Sequence, residues 1–334
     1  MSGAVEEQPA YSIRYPYAFT HMSGSPHGRD VVLAGRAGLA VVDVAAPQTV
    51  RTVALDNAWP VSAVAWSASA AHGGWVATAA GPTLAVHDLA RTGGGPMRAA
   101  RAHARAITDV AWAPLTPAWL GSTSLDAAVQ LWDVRRAARP VWRFTRWEAA
   151  DRLAFSAAQA HVLATAHRGG VAVWDVRFGS APALTLNDVH DDVAAVAWHP
   201  ERRGELLTAA RDGAVKQWQV GGAHPDLARA LELEHGVLGA HYAPAGDALL
   251  LRVDAPECAA LVLHDDGTGL RVERRLAGHA AADLGAAWRG AGEIVTWGSD
   301  QILRRWDGPY GKEDSLPSAR EPYETGGLLG PAEL

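Results

Sequence analysis

Three groups of side chains in this sequence combine a histidine, a hydroxyl residue, an aspartate and a tryptophan at nearly constant spacing. In each group the Ser or Thr lies four residues before the Asp, and the Asp lies six residues before the Trp. The groups are His103, Ser122, Asp126 and Trp132; His190, Thr208, Asp212 and Trp218; and His279, Thr296, Asp300 and Trp306. An indole N–H donates, a carboxylate accepts, and hydroxyl and imidazole groups do both, so each group has the chemistry of a hydrogen-bond chain.

The same residue types occur in serine hydrolases, so catalysis is the first function to weigh. A catalytic triad needs one accessible site with an oxyanion hole, whereas these groups recur three times along the chain. The sequence has no Gly-x-Ser-x-Gly nucleophile elbow, no His-Glu-x-x-His motif and no P-loop spacing. We therefore expect a structural role for the three groups, no enzymatic activity, and no bound metal or cofactor.

Two short marks repeat along the chain and indicate the elements that position these groups. The first is Trp-Asp or a variant of it, 42 to 46 residues apart, and its copies begin at Val42, His87, Trp132, Trp174, Trp218, His264 and Trp306. The second is a triplet closing in an aromatic residue, and its copies end at Trp66, Trp112, Phe155, Trp198, Tyr242 and Trp288. Apolar and polar residues alternate in the short segments between turn residues, a pattern that predicts short strands. Four strands in roughly 44 residues is typical of a propeller blade.

On these marks the chain resembles WD-repeat proteins over residues 11–308. The resemblance implies an all-β fold, a seven-bladed WD-repeat β-propeller, in which the three groups form buried hydrogen-bond chains. The last blade ends at its third strand, so the segment Tyr11–Pro16 is expected to complete it and close the ring, which removes exposed strand edges. We expect residues 1–10 to be flexible and the Gly- and Pro-rich tail, 309–334, to be disordered.

Four blades depart from the repeat pattern. Blades two and six have His87 and His264 where Trp is expected, blade one lacks the Trp, and blade four has Arg168 in place of the Asp. Packing by other residues is one explanation, and we favour it. The other is that Arg168, lacking a neutralising partner, marks an edge that faces a binding partner.

Arginine and tryptophan residues outside the repeat marks are candidates for partner binding, because both types are enriched in interface hot spots. One cluster surrounds the outer strand of blade three: Arg135, Arg136, Arg139, Trp142, Arg143 and Trp147. It is either a docking patch for an acidic partner or a charged outer edge that protects the blade. Trp59 and Trp147 lie in loops where other blades place His. They either fill that position or, if exposed, anchor an interface.

The composition limits the classes of partner and compartment. The net charge is −6, so the chain has no overall electrostatic attraction to nucleic acid or an acidic membrane. Cys258 is the single cysteine, which excludes an internal disulfide and a Cys-based zinc cluster. The sequence has no signal-peptide pattern and no apolar run of about 18 residues. We therefore expect a cytoplasmic protein that binds other proteins, not nucleic acid, and does not insert into a membrane.

Several segments carry a more specific resemblance: Asp30–Arg36 with Gly38–Val44, Leu163–His167 with Val171–Arg177, Val237–Pro244, and Ile294–Gln301 with Arg305-Trp306. They resemble the N-terminal propeller of the RWD- and RING-bearing WD-repeat subunit of the SEA (GATOR-type) complex. The resemblance implies a non-enzymatic scaffold in amino-acid signalling to the target-of-rapamycin kinase, peripheral on the vacuolar or lysosomal membrane. Its implied partners are other propeller subunits, including nucleoporin-like ones. No RWD or RING pattern follows the last blade, so we expect a propeller-only member or a truncated one.

A second function remains open. The boxes Trp132–Arg135 and Trp174–Arg177 resemble the Trp-Asp-x-Arg box of propeller substrate receptors for cullin-type ubiquitin ligases. Arg after Trp-Asp-x is also frequent in ordinary WD repeats.

Overall fold

The computed structural model describes residues 4–16, 18–91, 95–136, 139–146, 148–179, 181–222, 224–255, 258–279, 283–289 and 292–308. Trp147 and the tail 309–334 therefore lie outside the described residues. The described chain forms strands joined by turns, with one 3-10 turn at Ala70–His72. Among these residues there is no helix with the length and apolarity needed to span a bilayer.

The strands form seven sheets arranged as the blades of a propeller. Two short strands, β1 (Val5–Glu7) and β2 (Tyr11–Arg14), precede the first inner strand. Blades one to three then follow from inner to outer strand: β3 (Phe19–Gly24), β4 (Asp30–Gly35), β5 (Gly38–Asp43) and β6 (Val50–Ala54); β7 (Val61–Trp66), β8 (Trp75–Ala80), β9 (Thr83–Asp88) and β10 (Arg98–Arg101); β11 (Ile107–Trp112), β12 (Trp119–Ser124), β13 (Ala128–Asp133) and β14 (Trp142–Thr145).

Blades four to six have the same order, and blade seven supplies three strands of its own. They are β15 (Arg152–Phe155), β16 (Val162–His167), β17 (Gly170–Asp175) and β18 (Leu184–Leu186); β19 (Val193–Trp198), β20 (Glu205–Ala210), β21 (Ala214–Gln219) and β22 (Asp226–Glu232); β23 (Val237–Tyr242), β24 (Ala248–Val253), β25 (Cys258–Asp265) and β26 (Leu270–Ala277); β27 (Asp283–Arg289), β28 (Glu293–Gly298) and β29 (Ile302–Trp306).

The N-terminal strand β2 closes the ring, as the sequence predicts. It pairs antiparallel with β29 and becomes the outer strand of blade seven. Two tyrosine hydroxyls then join this blade to blade one: Tyr11 donates to the Val44 carbonyl at 2.7 Å and Tyr15 to the Pro47 carbonyl at 2.6 Å. Trp297, fully buried in the same seam, donates its indole N–H to the Phe19 carbonyl at 3.1 Å. Backbone pairing and side chains thus both close the ring.

The segment before β2 differs from the expected flexible N-terminus at residues 1–10. Val5–Glu7 forms β1, which adds in parallel to the outer strand β26 of blade six. Glu7 also makes an ion pair with Arg274 of that strand. The pairing was not visible in the sequence because three residues carry too little periodicity to predict a strand.

Adjacent blades are joined by the aromatic residues that end the inner strands. Trp112 donates its indole N–H to the Ala65 carbonyl of the preceding blade at 3.0 Å, and Trp198 donates to the Ala154 carbonyl at 3.1 Å. The second repeat mark therefore has a physical cause. The indole fills the space between two blades with apolar surface, and its single polar atom donates to a backbone carbonyl.

Candidate functional site

The structure brings together all four members of the predicted group in blade three. His103 lies 2.8 Å from the Ser122 hydroxyl through Nε2 and 3.1 Å from the Asp126 carboxylate through Nδ1. The Trp132 indole donates to the same hydroxyl at 3.1 Å. Asp126 also accepts the backbone N–H groups of Ala104 and Ala128, at 2.9 and 3.0 Å. The chain of bonds ties the turn before β13 to the loop before β11.

Blade seven repeats this arrangement. Thr296 accepts from the Trp306 indole at 3.0 Å, and His279 Nε2 lies 2.8 Å from the same hydroxyl. His279 Nδ1 is 3.1 Å from Asp300, whose carboxylate also accepts from Arg304 at 2.8 Å.

Blade five has the same four residues, but its chain is open at one bond. The Trp218 indole and His190 Nε2 both lie 3.0 Å from the Thr208 hydroxyl. His190 Nδ1, however, is 3.6 Å from Asp212 and has no hydrogen-bond partner among the described residues. The Asp212 side chain is 41% exposed, whereas that of Asp126 is 7% exposed. Asp212 therefore faces solvent more than its counterparts.

Two blades build a shorter version of the chain from residues that the spacing rule does not predict. In blade four the Trp174 indole donates to Thr165 at 2.9 Å, and His167, two residues on, lies 3.0 Å from that hydroxyl through Nε2. In blade two His87 takes the Trp position and lies 3.1 Å from the Thr78 hydroxyl. The expectation of simple packing is therefore incomplete, because in both blades a histidine hydrogen-bonds the hydroxyl residue.

Among its described residues blade six has no such hydrogen-bond chain, and its Trp position lies one residue before the predicted His264. The register pairs Leu249 with Leu263, as Leu120 pairs with Trp132 in blade three. Leu263, not His264, therefore occupies the Trp position, and Leu251 takes the place of the hydroxyl residue. A leucine cluster fills this part of the blade.

The four-residue groups of blades three, five and seven are called tetrads here. Burial sets the protonation of their histidines and of the histidine in the shorter chain of blade four. Desolvation lowers the pKa of His103, although the Asp126 carboxylate acts in the opposite sense. Burial likewise lowers the pKa of His167, to about 4. For Asp126, desolvation alone would raise the pKa, but the hydrogen bonds from Ala104 and Ala128 and the contact with His103 outweigh it and lower the pKa. At neutral pH His103 is therefore a neutral imidazole beside the Asp126 carboxylate.

Of the two loop tryptophans singled out in the sequence, the structure describes Trp59. Its ring lies against the Gly81 turn, where an added Cβ would come within 2.7 Å of it. The residue nonetheless remains 58% exposed. It therefore covers a turn and also presents an aromatic surface.

The arginine cluster of blade three lies on an outer edge. On β14, Arg143 and Thr145 are exposed while Phe144 is buried. Trp142 packs inward, with its ring centroid 5.3 Å from that of Trp119. Arg139 is exposed. In this cluster Trp142 therefore packs inward on Trp119, while Arg139 and Arg143 form an outward basic face.

Both Trp-Asp-x-Arg boxes hold their arginine in an internal ion pair. Arg135 donates two hydrogen bonds to Asp133, each at 3.0 Å, and the exposed Arg136 is 3.5 Å from the same carboxylate. Arg177 makes the same two-bonded contact with Asp175, at 2.9 and 2.6 Å. An external partner would have to compete with these bonds.

Arg168 is exposed and lines an open cavity of about 560 Å³ between blades four and five. The cavity lies on the face that carries the tetrad loops, here called the tetrad face. Its charged walls comprise four carboxylates and two cations: Glu148, Asp188, Asp191, Asp212, Arg168 and Lys216. His190 and the solvent-facing Asp212 of the open chain are part of this wall. The cavity is thus acidic overall.

A second polar cluster joins blades five and six near the opposite face. His199, Glu205 and Asp265 offer ligand atoms within 4.8 Å of one another, which is the spacing of a metal site. Arg202, however, bonds both carboxylates, at 3.0 Å from Glu205 and 3.2 Å from Asp265. His199 accepts backbone N–H groups through Nδ1 and contacts the Gly246 carbonyl through Nε2. The atoms that would bind a metal already make these hydrogen bonds and ion pairs. The cluster therefore fits an ion-pair network and not a metal site.

Comparison with known proteins agrees with this geometry. The family described as "WD domain, G-beta repeat" matches residues 180–219, which lie in blades four and five. A chain of the "Crystal Structure of Mitotic Checkpoint Complex" superposes with a TM-score of 0.78 over 90% of this chain and 92% of that one. Its sequence identity is 20%, so this likeness concerns the fold alone. The chain is a WD-repeat β-propeller.

Three longer proteins are similar to this chain over most of its length. The Saccharomyces cerevisiae "Maintenance of telomere capping protein 5" is 27% identical over 90% of this chain and 29% of its own length. An RWD, RING finger and WD repeat-containing protein of Schizosaccharomyces pombe is 30% identical over 87% of this chain and 23% of its own length. The human "GATOR2 complex protein WDR59" is 27% identical over 86% of this chain and 30% of its own length. This chain thus spans less than a third of the length of each of these relatives.

Proposed function

We propose that this propeller is a non-enzymatic scaffold subunit of a SEA/GATOR-type complex that acts in amino-acid signalling to the target-of-rapamycin kinase. The observation that carries the proposal is the extent of the similarity. It runs along 86% of this chain in a relative named as a GATOR2 complex protein, and 87% in an RWD, RING finger and WD repeat-containing protein. Other propeller subunits of such a complex are the proposed partners, and the vacuolar or lysosomal membrane surface is the proposed location.

The acidic cavity between blades four and five is the proposed docking site on the tetrad face. Its four carboxylates outnumber Arg168 and Lys216, so it suits a basic segment of a partner protein. The open hydrogen-bond chain supports this assignment, because Asp212 is directed to solvent instead of being held by His190. Trp59 and the basic face of blade three remain further candidates for contact with partners.

Affinity purification of the tagged chain from the cells that encode it tests this function. Mass spectrometry is expected to identify propeller subunits of the SEA/GATOR type among the recovered proteins. Recovery of a cullin adaptor without those subunits would instead favour the substrate-receptor function. A variant with Arg135→Ala and Arg177→Ala is the matched comparison, since it removes both box arginines and is expected to retain the propeller subunits.

A further inference from the structure

The central channel collects charged and titratable side chains from several blades at one level. His21, Asp109 and Arg152 occupy equivalent inner-strand positions in blades one, three and four, opposite Ala34, Thr123 and Ala166 respectively. In blade six the equivalent position is Gly239, paired with Arg252 of the next strand. A Cβ on Gly239 would come within 2.6 Å of Arg252 Nε, so the absence of a side chain there gives the guanidinium its place over the inner strand.

His241 completes this set, two residues beyond Gly239 on β23. Alternate residues of a strand share a face, so His241 lies on the side over which the Arg252 guanidinium extends. Its side chain is exposed although the ring of blades surrounds it, whereas His21, Asp109, Arg152 and Arg252 are half-buried. A side chain that is exposed to solvent although blades surround it lines the channel, and His241 is such a side chain.

Backbone hydrogen bonds hold the charged groups of this set. Arg152 donates to the Asp151 carbonyl at 2.9 Å, and Arg252 donates to the Leu238 carbonyl at 3.2 Å. Asp109 accepts the N–H of Val110 at 2.9 Å and the N–H of Leu153 in blade four at 3.0 Å. The set therefore contains two guanidinium groups and the Asp109 carboxylate, and the neighbouring Asp151 carboxylate also acts on Arg152.

The charges of Arg152 and Arg252 both lower the pKa of His21 and of His241. Desolvation by the protein that surrounds the channel is the largest cause that lowers the pKa of His21 and of the channel-facing His241 to about 4, and the charges of Arg252 and Arg152 add to it in each case. The four side chains thus share one electrostatic environment across blades one, four and six. At neutral pH both imidazoles are neutral and each offers an N–H donor.

We propose that the central channel binds a small phosphate-class oxyanion, held by Arg152 and Arg252 and oriented by N–H groups of His21 and His241. Guanidinium groups match the oxygen spacing of a phosphate and bind it with paired, charge-assisted hydrogen bonds. A free anion fits this place better than a lipid headgroup, because the side chains lie on inner strands within the ring. The site is distinct from the acidic cavity of the tetrad face.

Calorimetric titration of the full chain with inorganic phosphate at constant ionic strength tests the site, with chloride as the reference anion. Saturable binding of one phosphate per chain is expected. The substitutions Arg152→Gln and Arg252→Gln should each weaken it about tenfold. Arg36→Gln removes the same charge at an exposed turn of blade one and should change the affinity less than about twofold. Equal weakening by all three variants, or no saturable binding to the wild-type chain, would overturn the proposal.

A second measurement keeps the test independent of how well the variants fold. Histidine side-chain NMR of the wild-type chain should show saturable shifts of the His21 and His241 rings with phosphate, and none for His103 in its closed tetrad. Vesicles of phosphatidylcholine with a phosphatidylinositol phosphate form the other arm, and the chain is expected not to sediment with them. Vesicle binding that requires Arg152, without binding of inorganic phosphate, would overturn the assignment to a free anion.

Discussion

At the scale of single residues, the hydroxyl group is the constant member of each hydrogen-bond chain. Ser122 and Thr165 accept from an indole and contact an imidazole, although His103 comes from a loop and His167 from the same strand as its partner. A buried hydroxyl needs partners, but it does not require them to come from one place in the sequence. This explains why blades with different sequences retain similar hydrogen-bond chains.

The closed hydrogen-bond chain of blade three and the open one of blade five predict different losses of stability for the same substitution. Asp126→Ala removes an acceptor shared by His103 and two backbone N–H groups, so it should lower the free energy of unfolding by about 1–3 kcal/mol. Asp212→Ala should cost less than half as much, because Asp212 is more exposed and lies 3.6 Å from His190. Urea unfolding of both variants measures the difference, and equal losses would contradict the assignment of an open chain.

The buried histidines predict lower stability in acid. Burial lowers the pKa of His87, His103, His167, His190 and His279 below the ordinary value of 6.5. A lowered folded-state pKa means that the unfolded chain binds protons first, so stability is complete above pH 6.5 and is lost as the pH falls. For His167 the loss should continue to about pH 4.

Urea unfolding between pH 7.5 and 4 measures this dependence. His167→Asn should reduce the slope of unfolding free energy against pH in this window, whereas His27→Asn, at an exposed turn, should not. A stability that is constant or rises on acidification would show that the histidines are not held neutral.

Spacing alone predicted which residues meet in blades three and seven, because each member has a fixed place in the strand order. It missed His167, since the rule looks for a histidine before the inner strand. It also assigned the Trp position of blade six to His264 instead of Leu263, a shift of one residue that only the pairing of β24 with β25 reveals. Such shifts depend on pairing with a neighbouring strand, which a local sequence pattern does not contain.

At the scale of strands and blades, the seam between blades five and six depends on charge as well as apolar packing. Asp265 has a fully buried side chain, bonded to Arg202 at 3.2 Å and to the Gln217 amide at 2.9 Å. These residues are up to 63 positions apart in the sequence. No local periodicity could predict that they meet, although the strands that carry them were predicted.

Neutralising this carboxylate should weaken the seam. Asp265→Asn leaves the Arg202 charge with Glu205 as its remaining partner, so we expect a loss of about 2–3 kcal/mol in unfolding free energy. Asp226→Asn, an exposed position at the start of β22, removes the same charge and should change stability by less than about 0.5 kcal/mol. Chemical denaturation compares the two, and a neutral outcome for Asp265→Asn would show that the network is not stabilising.

At the scale of the whole molecule, ring closure should decide whether the chain remains monomeric in solution. Removing residues 1–16 deletes β2, exposes the edge of β29 and breaks the Tyr11 and Tyr15 bonds to blade one. An open strand edge promotes aggregation. We expect this deletion to form soluble aggregates on size-exclusion chromatography, whereas deletion of residues 1–9, which spares β2, should not. Identical elution of both deletions would contradict the closing role of β2.

The seven-fold architecture and its closing strand follow from repeat period and strand count, so both could be predicted from the sequence. The acidic cavity and the channel set could not. Each joins residues from different blades at one level of the ring, such as Arg168 with Asp191 or Arg152 with Arg252. Only the assembled ring defines which residues share a level.

The most direct test of the scaffold function is quantitative co-purification with a charge-reversed cavity. The double variant Glu148→Lys and Asp191→Lys reverses two carboxylates of the cavity, while Glu201→Lys and Asp226→Lys makes the same change at exposed positions on the opposite face. We predict that the cavity variant recovers about tenfold less of the SEA/GATOR-type propeller subunits than the wild-type chain, and that the opposite-face variant recovers as much. Full recovery by the cavity variant, or absence of those subunits from the wild-type purification, would contradict the account.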